Sequence, residues 1–149
     1  MSPNNFTHVA FTAGSLDRYL IRTSIFEAIK SSLINFKGNL LHVGCGKMPY
    51  KNVILKNSSV EKYIGLDIES AIQYDAKVKP DFTWDGIKMS FDDASFDFTF
   101  ATVVLEYCPE PEIILNEIYR VMKHDGCFFF TVPFLWNLHE VPHDDTEKS

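Results

Sequence analysis

An α/β fold built on a doubly wound, mostly parallel sheet is what this sequence predicts, and three observations predict it. Short apolar runs alternate with segments of helical period, the first of those runs opens into a glycine turn, and the next two end in acidic residues. Alternation of strand and helix places helices over both faces of the sheet, so the strands are buried on each side and read as nearly continuous apolar runs.

The elements follow in order. From Leu16 to Phe36, residues Leu16, Tyr19, Leu20, Phe26, Ile29 and Leu33 recur at helical spacing, with Ser15 as the cap and Gly38 as the stop. Asn39 to Val43 is a short apolar strand entering Gly44-Cys45-Gly46, and Tyr63 to Leu66 is a second strand ending at Asp67. A third covers Asp81 to Trp84 and ends at Asp85-Gly86. In the fourth, Phe96, Phe98 and Phe100 alternate with Asp97 and Thr99, and Ala101 to Val104 continue it. Pro111 suits a first helical position, Ile114, Ile118, Val121 and Met122 mark one helix face, and Lys123 and His124 suit the negative C-terminal end. Asp125-Gly126 then turns the chain into a fifth strand, Cys127 to Val132.

Composition bounds the function. The chain of 149 residues is expected to form one domain, 1–149, and its net charge of -6 excludes a broad nucleic-acid surface, which needs clustered Lys and Arg. No apolar run approaches the roughly 20 residues of a bilayer span. Met1 to Phe11 lacks the basic and apolar regions of a secretion signal, so the expected location is cytoplasmic. Cys45, Cys108 and Cys127 are an odd number without metal-ligand spacing and read as reduced thiols.

In open parallel sheets, ligands bind beyond the carboxyl ends of the strands. Here the first three strands end in Gly44-Cys45-Gly46, Asp67 and Asp85-Gly86, which converge on one edge. Glycines admit a ligand close to the backbone, a carboxylate after the second strand can accept two ribose hydroxyls, and an acid after the third can accept from an adenine amino group. The ligand so described is an adenosine. A phosphate-binding P-loop is excluded because Met48 stands where Ser or Thr would coordinate magnesium. A dinucleotide site is disfavoured by Pro49 at the third glycine position of G-x-G-x-x-G.

The ordered strings Leu40-Leu41-His42-Val43-Gly44-Cys45-Gly46, Tyr63-Ile64-Gly65-Leu66-Asp67 and Ser90-Phe91-Asp92-Asp93-Ala94-Ser95-Phe96-Asp97 carry a resemblance. It continues through Val104-Leu105-Glu106-Tyr107, then Glu117-Ile118-Tyr119-Arg120-Val121-Met122-Lys123 and Gly126. From about Leu40 to Pro133 the chain resembles the class I S-adenosylmethionine-dependent methyltransferases, in particular the type 11 subgroup. The resemblance implies a Rossmann-like sheet with S-adenosyl-L-methionine as cofactor. In that setting Gly44, Cys45 and Gly46 line the methionine part, Asp67 holds the ribose, Ile68 flanks the adenine, Asp85 and Gly86 meet its edge, and Ala101 lies near the methionine amine. His42 departs from the pattern, where the family usually has Asp or Glu, and Met48 stands where a further glycine is common. The family sheet has seven strands, so the final strand hairpin is missing here. The exposed fifth strand is then expected to bring two copies together as a homodimer, the alternative being a monomer in which Phe134 to Val141 folds back over that edge.

Methyl transfer depends above all on orientation, which can supply roughly 7–11 kcal/mol of a barrier. A base assists when the acceptor is a hydroxyl or amine, and His139, Glu140 and His143 are the candidates, set against a plain solvent-exposed loop. Arg18 and Arg22 are candidates to cover the cofactor's carboxylate, set against surface solvation. His139-Glu140-Val141-Pro142-His143 also spells the H-E-x-x-H pattern of zinc proteases, but Pro142 breaks the helix that pattern requires, so no metal site is expected. Three functions stay open from the sequence: methyl transfer to a small-molecule acceptor, cofactor binding without turnover, and nicotinamide-dependent oxidoreduction.

Overall fold

The computed structural model describes residues 6–7, 11–12, 14, 16–69 and 78–133. Helix α1 (Leu16–Ser32) passes through a short 3-10 turn, Leu33–Asn35, into strand β1 (Lys37–Val43). Helix α2 (Lys51–Asn57), strand β2 (Ser59–Ile68), strand β3 (Phe82–Trp84) and strand β4 (Phe96–Ala101) follow. A second 3-10 turn, Leu105–Tyr107, leads to helix α3 (Pro111–Val121) and strand β5 (Met122–Phe130). The five strands lie in the order β3-β2-β1-β4-β5, and every adjacent pair is parallel. The chain winds outward from β1 in both directions, so the direction switches between β1 and β4.

Helices cover both faces. Leu40, Phe98 and Phe100 meet Ile25 and Ile29 of α1 and Ile54 of α2 on one side. Leu41, Val43 and Leu66 meet Ile114, Ile118 and Val121 of α3 on the other. Pro111 opens α3, where its missing N–H belongs to an end that has no intrahelical partner. Phe36 follows the α1 turn in extended conformation and sinks fully into the first layer, its ring 4.0 Å from that of Phe98. Burial of an aromatic ring on this scale contributes about 1.5–3 kcal/mol, so the helix stops where Phe36 must enter the core.

Several boundaries differ from the sequence reading, and three of them have a clear tertiary reason. Gly38 does not stop α1; it sits inside β1 at φ +60, where a side chain would collide with Asp97. The β1–β2 register shifts there, and Asp97 Oδ2 accepts the next amide, Asn39, at 2.8 Å. Lys123 and His124 do not close α3. The helix ends at Val121, and Lys123 Nζ instead reaches Asp97 Oδ1 at 2.7 Å. The expected turn at Asp125-Gly126 does not precede β5 but is an irregularity within it: Met122 lies opposite Phe96 while Cys127 lies opposite Phe98, so the chain between them loops out of register. Finally, Phe96 does not share a face with Phe98 and Phe100, because the same irregularity sends it into the α3 layer.

His42 of β1 is buried in the α1–α2 layer, 1% exposed, with Nδ1 at 2.5 Å from the Tyr63 hydroxyl and its ring against Phe100. Burial pushes the imidazole down from its ordinary 6.5 to about 3 and the Tyr63 phenol upward. The unfolded chain therefore takes a proton on His42 below pH 6.5 that the folded chain refuses until about pH 3. The corresponding stability is complete above 6.5 and declines as pH falls toward 3. Between pH 7.5 and 5, urea unfolding should show the native chain losing about 2 kcal/mol more than His42→Gln. Equal losses in the two proteins would mean that His42 is not held neutral.

Candidate functional site

At the end of β1 the chain must leave a sheet in which both faces are covered, and it does so through Gly44 at φ +63. A Cβ there would collide with Val104 Cγ2, so both the conformation and the space require glycine. Pairing with β2 persists one residue further, as Cys45 N–H donates to the Leu66 carbonyl at 3.1 Å. The next amide has no strand partner. Gly46 N–H donates instead to Asp67 Oδ2 at 2.8 Å, while Asp67 Oδ1 accepts Ile68 N–H at 2.9 Å. Each carboxylate oxygen keeps a further lone pair, and Asp67 is partly exposed.

The turn continues through Met48, a non-glycine at φ +49, a conformation costing about 1–2 kcal/mol for an ordinary residue. Gly65 accommodates it: a side chain at Gly65 would meet Met48 Sδ at 2.8 Å and Cys45 Sγ at 3.0 Å. The Cys45 side chain is thus packed behind the turn, and burial together with Asp67 and Asp81 pushes its thiol up to about 12. It stays a neutral thiol.

A cleft of about 680 Å³ opens over these strand ends. It is lined by Gly44 and Gly46 after β1, Asp67 and Ile68, and Gly86 after β3, all anticipated from the sequence; Asp67 and Ile68 are the last two residues of β2 instead of following it, because they still pair with Thr83 and Trp84 of β3. Asp85 stands beside it, with Oδ1 accepting the amides of Ile87 at 2.8 Å and Lys88 at 3.0 Å; those bonds hold its carboxyl below the usual carboxylate range. Ala101 is buried, and its carbonyl accepts Thr131 N–H at 3.2 Å. Neither Cys45, Asp85 nor Ala101 lines the cleft. His42 lies in the opposite layer and does not reach it. Arg18 and Arg22 do not line it either, Arg22 lying over the Phe6 ring at 4.1 Å. His139, Glu140 and His143 lie outside the described residues.

The sequence reading passed over the apolar walls. Trp84 and Ile87 form one, and Val103, Val104, Tyr107 and Ile113 form the other. Ala101 to Val104 looked like strand, but Val103 adopts φ +57 and diverts the chain across the strand ends. The available signal was Gly44 itself, whose absent side chain leaves room for Val104. Among the described residues, the charged lining groups are Asp67 and Glu110, and no Lys, Arg or His lines the cleft. Such a site suits a neutral or cationic ligand with an apolar, flat portion and repels phosphates. Among the described residues, no three His, Cys, Asp or Glu side chains converge as metal ligands.

Residues 41–130 match the family described as a methyltransferase domain. Over 99 residues the chain is 27% identical to the malonyl-[acyl-carrier protein] O-methyltransferase of Legionella pneumophila, covering 62% of this chain and 35% of that protein. It is similar in fold to a chain of the complex between the Haloferax volcanii Trm112 methyltransferase activator and a methyltransferase, with a TM-score of 0.58 and 22% identity. That match covers 78% of this chain and 54% of the other. The S-adenosylmethionine-dependent methyltransferase from Mesorhizobium loti gives a TM-score of 0.57 at 19% identity, over 72% of this chain and 53% of that one. The chain thus spans about a third of the curated relative and about half of these solved chains.

The turn supplies its own test. Gly44→Ala should lower the urea-unfolding free energy by about 1–2 kcal/mol from the left-handed conformation alone, before any displacement of Val104. An unaltered midpoint would mean that the turn relaxes without cost.

Proposed function

The chain belongs to the methyltransferase domain family, and on that premise we propose that it binds S-adenosyl-L-methionine in this cleft and transfers the methyl group to a small-molecule acceptor. The observation that carries the reading is Asp67: its carboxylate sits at the cleft floor, tied to the Gly46 amide, with lone pairs left for two ribose hydroxyls. The donor set fits this cofactor. Ile68 and Ile87 provide apolar flanks for a purine, Gly86 lies at its edge, and Gly44 and Gly46 allow the methionine portion close to the backbone; Asp85, beside the cleft, is proposed to reach the purine edge through Oδ2, since Oδ1 holds the loop amides. The proposal keeps Cys45 and Ala101 as main-chain neighbours of that portion.

A dinucleotide fits less well. Its pyrophosphate would approach the glycine turn, where the Gly46 amide is already taken by a carboxylate and no basic side chain lines the cleft among the described residues. His42, in the opposite layer, gives no support to a protein that binds without turnover.

The bound cofactor supplies an electrophilic methyl group; the chain supplies orientation and, for a protic acceptor, a proton sink. In this reading Asp67 fixes the cofactor's rotation about the strand ends, and Val103, Val104 and Tyr107 give the cleft an apolar wall against which an acceptor is oriented. His139, Glu140 and His143 are proposed as the proton-accepting group. Reduced cytoplasm is the proposed setting, consistent with three free thiols. Among the described residues no helix is long and apolar enough to cross a membrane.

Calorimetry with S-adenosylmethionine, S-adenosylhomocysteine and NAD tests the assignment. S-adenosylhomocysteine should bind and NAD should not, and Asp67→Ala should weaken the former more than tenfold, about 1.4 kcal/mol or more. Unchanged affinity would remove Asp67 from the site.

The proposal also includes self-association through β5. This strand pairs with β4 on one side, and among the described residues no strand meets its other side. Phe128 and Phe130 stack at 5.0 Å on one face, with Phe130 half exposed. Sedimentation across a concentration series should show a dimer; a monomer at every concentration would reject it.

A further inference from the structure

The loop between β3 and β4 carries Gly86 and Ile87 into the cleft, and Ile87 is 68% exposed there. A loop presenting an apolar side chain to water needs to be held by its backbone. Upstream, the Trp84 carbonyl accepts Glu69 N–H at 2.9 Å, and Asp85 gathers the amides of Ile87 and Lys88. Downstream, two side chains of α3 grip one residue by both of its main-chain groups. Glu117 Oε2 accepts Met89 N–H at 2.7 Å, and Arg120 Nη2 donates to the Met89 carbonyl at 3.0 Å.

The two side chains also hold each other. Arg120 Nε donates to Glu117 Oε1 at 2.8 Å and Nη2 to Oε2 at 2.7 Å, a bidentate pair at i, i+3 on one helix face. Arg120 Nη1 adds the Phe91 carbonyl at 2.8 Å and Asp93 Oδ1 at 2.8 Å. The arginine lowers the Glu117 carboxyl pKa, and both carboxylates raise that of the guanidinium. The pair is mostly buried, with side chains 13% and 23% exposed, and neither side chain lines the cleft.

We infer that Glu117 and Arg120 are positioning residues for ligand recognition, a latch through which α3 sets the height of Gly86 and Ile87 against the purine of the bound cofactor. The inference rests on the S-adenosylmethionine reading above and deepens it. The latch acts on one end of the ligand: Gly44, Gly46 and Asp67 are placed by the β1–β2 pairing and do not depend on it. Loss of the latch therefore costs affinity for the purine and spares the remainder, which a general loss of stability would not do.

Glu117→Ala is the first variant, since alanine suits a helix interior; Arg120→Lys is the second, keeping the charge but not the fork. Binding of S-adenosylhomocysteine and of S-ribosylhomocysteine, which lacks the purine, is followed by ligand-observed NMR, with amide exchange of the unliganded chain measured alongside. The expected result is a loss of at least fivefold for S-adenosylhomocysteine, less than twofold for S-ribosylhomocysteine, and faster exchange at Ile87, Lys88 and Met89. Equal losses for the two ligands, or no loss, would overturn the positioning role. If the native chain binds neither ligand, the S-adenosylmethionine reading falls and the purine assignment with it. Unchanged exchange at Met89 would separately overturn the latch.

Discussion

The polar floor of the site rests on one hydrogen bond, that of the Gly46 amide with the Asp67 carboxylate. Parallel pairing ends where β1 runs out of partners, and an amide left unpaired there costs about 1–3 kcal/mol if water cannot reach it. Asp67 satisfies that amide from the end of the neighbouring strand, and in doing so is fixed at the cleft floor. A single carboxylate thus closes the sheet and faces the cleft. The same bond makes the turn a poor phosphate cradle, because the amide and the charge that a phosphate would need are already committed.

The two layers of the fold divide the work. The α1–α2 layer is aromatic and closed, with Phe36, Phe98 and Phe100 around the buried His42–Tyr63 contact. Its role is packing, and its buried imidazole makes that packing depend on pH. The α3 layer is continuous with the cleft: Val43, Trp84 and Ile114 belong both to its core and to the cleft wall. Ligand burial would extend this core outward. This explains why α3 carries the charged pair that grips the loop before β4, since the helix is the rigid element nearest to both.

Much of this was legible in the residues themselves. The runs at Asn39 to Val43 and from Phe96 onward read as buried strands, the helix beginning at Pro111 has one apolar face, and Asp67 marks the end of a strand that lies beside the glycine turn. Such features are local: period, turn chemistry and strand ends are properties of neighbours in the chain. Gly38 and Lys123 were misread for the same reason, because each looked like helix punctuation and each answers to Asp97, far away in sequence.

The sequence by itself determined the alternation of elements, the parallel sheet and the acid at the end of β2, because hydrophobic period and glycine placement act over a few residues. Only the tertiary structure decided which side chains wall the cleft. Val104 reaches it because Gly44 leaves room across the sheet, and Ile87 reaches it because Glu117 and Arg120 hold Met89 from another layer. Those are contacts between segments tens of residues apart, and their geometry exists only once the layers have packed.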